Sequence, residues 1–222
     1  MNERSTRLGA LGALAWANAV AHGLGLVFAL FGMRPGSPLV PLAERTSYLA
    51  GRPPGWIWGW GVWMICALLL VSWMVLLRHR LPGRCALATL ALVVSAAGMT
   101  ADLLCDAIQI QVLPLAATFG EPGHFLAWER LAAIGGATVA NGLYTAGVLL
   151  MTLALGARIG ASARWAGFAT TAAGSAMAIA GLLPSPALLE AAAGPTIGGF
   201  CLWAVLVARD LRRHRAPRSA AP

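Results

Sequence analysis

Few side chains able to do chemistry lie inside the apolar stretches of this chain, and their spacing sorts them onto helix faces. Asn18 and His22 are four residues apart. Asp102, Asp106 and Gln109 recur at i, i+4 and i+7. Glu129 and Arg130 are neighbours, with Asn141 and Tyr144 further along the same stretch. Residues three, four and seven apart share one face of an α-helix. Ionisable groups within a bilayer cost several kcal/mol and so mark a partner, a cavity or a site. Two carboxylates one turn apart suit proton transfer, because both are not ionised cheaply together. A histidine beside carboxylates is also a divalent-metal arrangement. No H-E-x-x-H and no close histidine pair accompanies it here, so no metal is expected.

Three readings of this set compete. In the structural one, the acidic groups pair with Arg130 and with the arginines of the preceding loop and tie helices together. In the second, His22, Asp102, Asp106, Glu129, Arg130, Asn18, Gln109 and Arg45 line a ligand or transport cavity open to the outside. Arg34, Arg45, Arg52 and Arg130 would then attract a small anionic or amphiphilic molecule. In the third, Asp102, Asp106 or Glu129 is the acid or base of an intramembrane enzyme acting on a lipid-like substrate, with His22 as shuttle.

The elements that must position these residues are hydrophobic. The chain has 222 residues, 59% hydrophobic and only 11% charged, with mean hydropathy +0.73. Soluble domains carry about 25% charged residues, whereas a spanning helix needs about 20 mostly apolar ones. Six stretches qualify, at roughly 8–32, 56–77, 85–110, 125–155, 164–183 and 187–208. They predict an all-α integral membrane bundle of six transmembrane helices, with residues 1–222 forming one membrane domain. The outer loop covers 33–55, and a basic C-terminal tail covers 209–222. The first stretch, about 25 residues long, exceeds a signal-peptide core and is expected to be retained.

Charge sorting gives an orientation. All sixteen basic residues are arginine. Arg4, Arg7, Arg78, Arg80, Arg84, Arg158, Arg164, Arg209, Arg212, Arg213, Arg215 and Arg218 fall in alternate gaps and tails. Only Arg34, Arg45, Arg52 and Arg130 fall on the other side. The positive-inside rule then puts both termini in the cytoplasm, as in a bacterial-type inner membrane. Trp56, Trp58 and Trp60 open the second stretch at the outer interface, where indole rings prefer to lie. The partners expected are membrane lipids and a small molecule. Nucleic acid is not expected, because the arginines flank membrane segments.

Depth follows from helical rise. At ~1.5 Å per residue, Asp102 lies about 27 Å and Asp106 about 33 Å beyond Arg84. His22 lies about 21 Å beyond Leu8. Both aspartates thus lie near the outer boundary of a ~30 Å hydrocarbon layer, and His22 in its outer half. Between Ser37-Pro38 and Gly51, the loop resembles a short amphipathic helix lying on the outer surface. Gly135-Gly136 offers a kink in the over-long fourth stretch. Small residues at four-residue spacing (Ala15, Ala19, Gly23; Ala132, Gly136, Ala140; Gly174, Ala178) predict close helix packing. The four cysteines form no C-x-x-C pair and read as buried apolar residues. Opposed histidine pairs are missing, so haem is not expected; nor is any other cofactor.

Overall fold

The computed structural model describes residues 3–81 and 85–213. Arg84, His214, Arg215 and Arg218 lie outside that set, and of Arg4 and Arg7 only the backbone is described. Nine α-helices run in order among the described residues: α1 (Glu3–Val27), α2 (Leu42–Ala50), α3 (Pro54–Arg80), α4 (Ala86–Ala107), α5 (Leu113–Thr118), α6 (Pro122–Ala133), α7 (Asn141–Leu155), α8 (Ala161–Ala180) and α9 (Pro186–Arg213). No strand occurs among them. Three π-helical segments join α-helices into longer rods. Phe28–Gly32 extends α1, Ile108–Val112 links α4 to α5, and Ile134–Ala140 links α6 to α7.

Five helical runs are long and apolar enough to cross a membrane: Gly9–Gly32, Pro54–Arg80, Ala86–Thr118, Pro122–Arg158 and Pro186–Arg213. Two exceed the expected length. The third continues to Thr118 through its π-segment, and the fourth spans 37 residues. At ~1.5 Å per residue these are rods of about 50 and 55 Å, which overshoot a ~30 Å core. The fifth expected stretch, 164–183, falls on α8, which has 20 residues but too low a hydropathy to join the five. It is rich in Ala, Gly, Ser and Thr, with Trp165, Phe168, Met177 and Ile179 as its large apolar residues and Arg164 in its first turn.

The long rods close into a ring. α1 packs on α3, α3 on α4, α4 on α7, α7 on α8, α8 on α9, and α9 returns to α1. The outside of the ring is oily. On α1, Trp16, Val20, Leu24, Val27 and Phe31 form one exposed stripe. Such a contiguous apolar face is not tolerated by a monomer in water; it faces lipid. The protein is a multi-pass helical membrane protein.

Two apolar cores fill the bundle. The larger holds Leu11 and Ala15 of α1, Leu70 and Trp73 of α3, Ala88 and Ala91 of α4, Val148 and Met151 of α7, and Trp203 of α9. The smaller, toward the opposite end, holds Met33, Leu49, Trp56, Leu113, Ala116 and Phe125. Helix α2 covers that end. It starts at Leu42, with Pro41 as its N-cap, and does not lie free on the surface. Leu49 is fully buried, and α2 packs against α5.

Helix α8 is held by close contact. Gly167, Gly174 and Gly181 are seven residues apart and face Thr152, Thr145 and Thr138, which are also seven apart and run the other way. A Cβ at Gly167 would meet Trp203 Cδ1 at 3.0 Å; one at Gly174 would meet Thr145 Cβ at 3.2 Å. A seven-residue repeat at three positions on each helix fits left-handed antiparallel packing. Small residues there let backbones approach where hydrophobicity gives no driving force. Both ends of α8 are capped from other helices. The Asp210 carboxylate accepts from the Gly160 N–H at 2.9 Å, ahead of the first turn. Arg130 donates to the carbonyls of Gly181, Leu182 and Leu183 at 3.1, 2.5 and 3.4 Å, beyond the last turn. An anion at the N-terminus and a cation at the C-terminus both complement the helix dipole.

Candidate functional site

The chain order of each rod places the polar residues between the two cores. On α1 the order is Leu11 and Ala15, then Asn18 and His22, then Met33 beyond the helix end. On the α4–α5 rod it is Ala88 and Ala91, then Asp102, Asp106 and Gln109, then Leu113. On α3, Cys66 separates Trp56 from Leu70. A polar layer therefore lies sandwiched in the bundle.

Asp102 and Asp106 are its acidic part. The Tyr144 hydroxyl of α7 donates to Asp102 Oδ2 at 3.1 Å. One turn on, Asp106 is 2% exposed, and its Oδ2 has no hydrogen-bond partner. The next turn carries Gln109, buried as well, whose Oε1 is also unpartnered. Cys66 and Cys105 lie within electrostatic range of both aspartates. The ion pairs among the described residues include neither aspartate. Two carboxylates within a bundle with no cation beside them form an unbalanced charge site.

The expected arginine partners are engaged elsewhere. Arg130, expected to pair with the acidic groups, caps α8 through three carbonyls instead. Its place in the last turn of α6 puts it beside the turn after α8. Arg45 of α2 pairs with Glu129 of α6 at 2.8 Å, with both side chains largely buried. Its Nη1 also donates to Val40 O at 2.9 Å, and its guanidinium lies 5.8 Å from the Phe125 ring centre. Arg34 pairs with Glu190 at 2.5 Å on the surface. The structural reading thus fits Glu129 and Arg45, whereas Asp102 and Asp106 are left over.

Asn18 and His22 form a third group. Asn18 is fully buried and donates to Leu14 O and Leu69 O at 3.0 and 3.1 Å, leaving its Oδ1 unpartnered. His22 Nδ1 lies 2.8 Å from Asn18 O. Its ring packs against Phe200 and Trp63, with centroids 5.2 and 6.1 Å away. Among the described residues no hydrogen bond or ion pair joins His22, Glu129 or Arg130 to either aspartate. No group of His, Cys, Asp and Glu there is arranged to hold a metal ion.

The π-segment after Asp106 has a sequence cause. Pro114 has no N–H to give, so a carbonyl one turn earlier loses its helical donor. The Trp56 indole N–H donates to Gln109 O at 2.7 Å and satisfies it. The partners Trp56, Trp63 and Phe200 were not among the candidate residues. Only Pro114, inside an apolar stretch, signalled that a carbonyl there needs a donor.

An apolar cleft of about 390 Å³ opens between α2, α5 and α6, lined by Leu42, Thr46, Ala116, Gly120, Glu121 and Phe125 among others. Ala116 on its wall is ten residues beyond Asp106, about 15 Å along one helical run. Compared with known protein families, curated proteins and solved structures, the chain matches none. Its class therefore rests on its own fold: a ring of membrane helices enclosing a polar layer.

Proposed function

We propose that the protein crosses a bacterial-type inner membrane six times, with both termini cytoplasmic, and binds or moves a small amphiphilic molecule through the polar layer in its outer half. The observation that carries this is Asp106, buried with an unpartnered carboxylate oxygen beside Asp102. The sequence suggested an anionic or amphiphilic molecule, drawn by the arginines Arg34, Arg45, Arg52 and Arg130. With Arg34, Arg45 and Arg130 engaged and Arg52 exposed just after α2, the unbalanced groups of the layer are carboxylates, and the reading becomes a cationic amphiphile. The outer cleft suits its apolar part, being within the ~300–1,000 Å³ of typical ligand sites.

The span added to the five, fifth in chain order, is α8. Its two ends are capped by Asp210, near the arginine-rich end of α9, and by Arg130, near the opposite end of the bundle. That supports a path through the full depth despite its weak hydropathy. Reporter fusions test the topology: Gly51, Gly120 and Ser185 are expected outside, Arg164 inside. A cytoplasmic signal at Ser185 would make α8 non-spanning. Binding is tested by thermal shift with a lipophilic phosphonium cation and an alkyl sulfate of similar size. Stabilisation by the cation, lost in Asp106→Asn, is expected. Stabilisation by the sulfate alone would return the reading to an anion.

A further inference from the structure

We propose that Asp102 and Asp106 form a proton-binding site that holds one exchangeable proton when no solute is bound. This rests on the reading of the polar layer as a solute site and names what occupies it otherwise.

The argument is one of charge and space. Two carboxylates one turn apart within a membrane bundle are both charged only if a cation neutralises them. The groups facing them from neighbouring helices are known. From α7 comes the Tyr144 hydroxyl, from α3 the Cys66 thiol, and from α4 itself Cys105. Cys201 of α9 faces Cys66. All four are neutral groups. Arg45 of α2 and Glu129 of α6 neutralise each other, and Glu44 of α2 is exposed. Arg130 is spent on the carbonyls after α8. His22 is turned to Asn18 O and two aromatic rings. A second observation points the same way. The Oδ2 of Asp106 and the Oε1 of Gln109, each in a residue at least nine-tenths buried, are acceptors left without a donor. A proton needs no cavity and supplies the missing donor.

Two outcomes follow in chemistry. Asp102, already holding the Tyr144 hydroxyl, is the member best able to stay ionised, because that bond favours the charged form. Asp106 is then the carrier. An arriving cation replaces the proton, which leaves to water, and the charge of the layer is unchanged.

The test uses the full chain in detergent. The C=O stretch of protonated carboxyls is followed by infrared difference spectroscopy across a pH titration, without solute. A band that disappears on alkalinisation in the wild type and is missing in Asp106→Asn is expected. Identical spectra in wild type and Asp106→Asn would overturn the proposal. If Asp106→Asn does not fold, Asp102→Asn and Tyr144→Phe serve: each is expected to shift the midpoint of the band, and an unmoved midpoint in both would equally overturn it. The phosphonium cation is then added in weak buffer with a pH dye. Release of about one proton per chain links site and solute. A titrating band with no release leaves the proton site standing and removes the cationic-solute reading instead.

Discussion

Gly174→Ala is a severe test of how α8 is held. The new methyl would fall onto the Thr145 hydroxyl, with Thr145 Cβ and Cγ2 both at 3.2 Å. Packed helices do not part freely, so overfilling costs about 1–3 kcal/mol. Against this, Ala is a better helix former than Gly by ~1 kcal/mol. The net expected loss is about 0–2 kcal/mol. Thr145→Ala removes the hydroxyl and Cγ2, so the double variant is expected to recover most of it. Gly167→Ala differs: its methyl meets Trp203 Cδ1 at 3.0 Å as well as Thr152. Thr152→Ala is therefore expected to rescue it only in part. Gly198 has open space around a would-be Cβ, and Gly198→Ala should be neutral or stabilising. The assay is unfolding of the detergent-solubilised protein by titrated denaturing detergent, followed by circular dichroism. If Gly174→Ala is as mild as Gly198→Ala, or if rescue is equal at both sites, the Gly–Thr interface is not what seats α8.

Arg45→Ala and Glu129→Gln each leave a largely buried partner uncompensated and should cost about 3 kcal/mol, with the double variant regaining part of the loss in the same assay. Arg130→Ala removes three bonds to the end of α8 and is expected to cost about 1–2 kcal/mol and to speed proteolysis at the Gly181–Ser185 turn. Trp56→Phe strands the Gln109 carbonyl and should cost about 1–3 kcal/mol, whereas Trp58→Phe, whose ring is exposed, should be silent.

Much of this was legible in the sequence because lipid imposes simple rules. Five of six expected spans follow from runs of apolar residues, and the face shared by Asp102, Asp106 and Gln109 follows from helical period. Small-residue spacing marked Gly174 but not the seven-residue pairing of glycine with threonine, since Thr138, Thr145 and Thr152 carry no apolar signal. Partner choice was not legible. Adjacent Glu129 and Arg130 look like one charge pair, yet successive residues point about 100° apart on a helix. Glu129 therefore turns to Arg45 and Arg130 to α8. Bends were half-legible: Gly135-Gly136 marked a kink, and the structure makes it the seven-residue π-segment Ile134–Ala140. Proline 195, by contrast, leaves α9 unbroken from Pro186 to Arg213.

The capping of α8 from two other helices bears on how the chain is built. Its C-terminal cap, Arg130, is made before α8 itself. Its N-terminal cap, Asp210, lies fifty residues after Gly160 and is made last. A helix this poor in large apolar residues gains little from lipid alone. During synthesis it has one anchor and half its neighbours, and only the arrival of α9 supplies the rest. The seating of α8 thus waits on the final helix: a chain cut before α9 would lack both the Asp210 cap and the helix packed along α8.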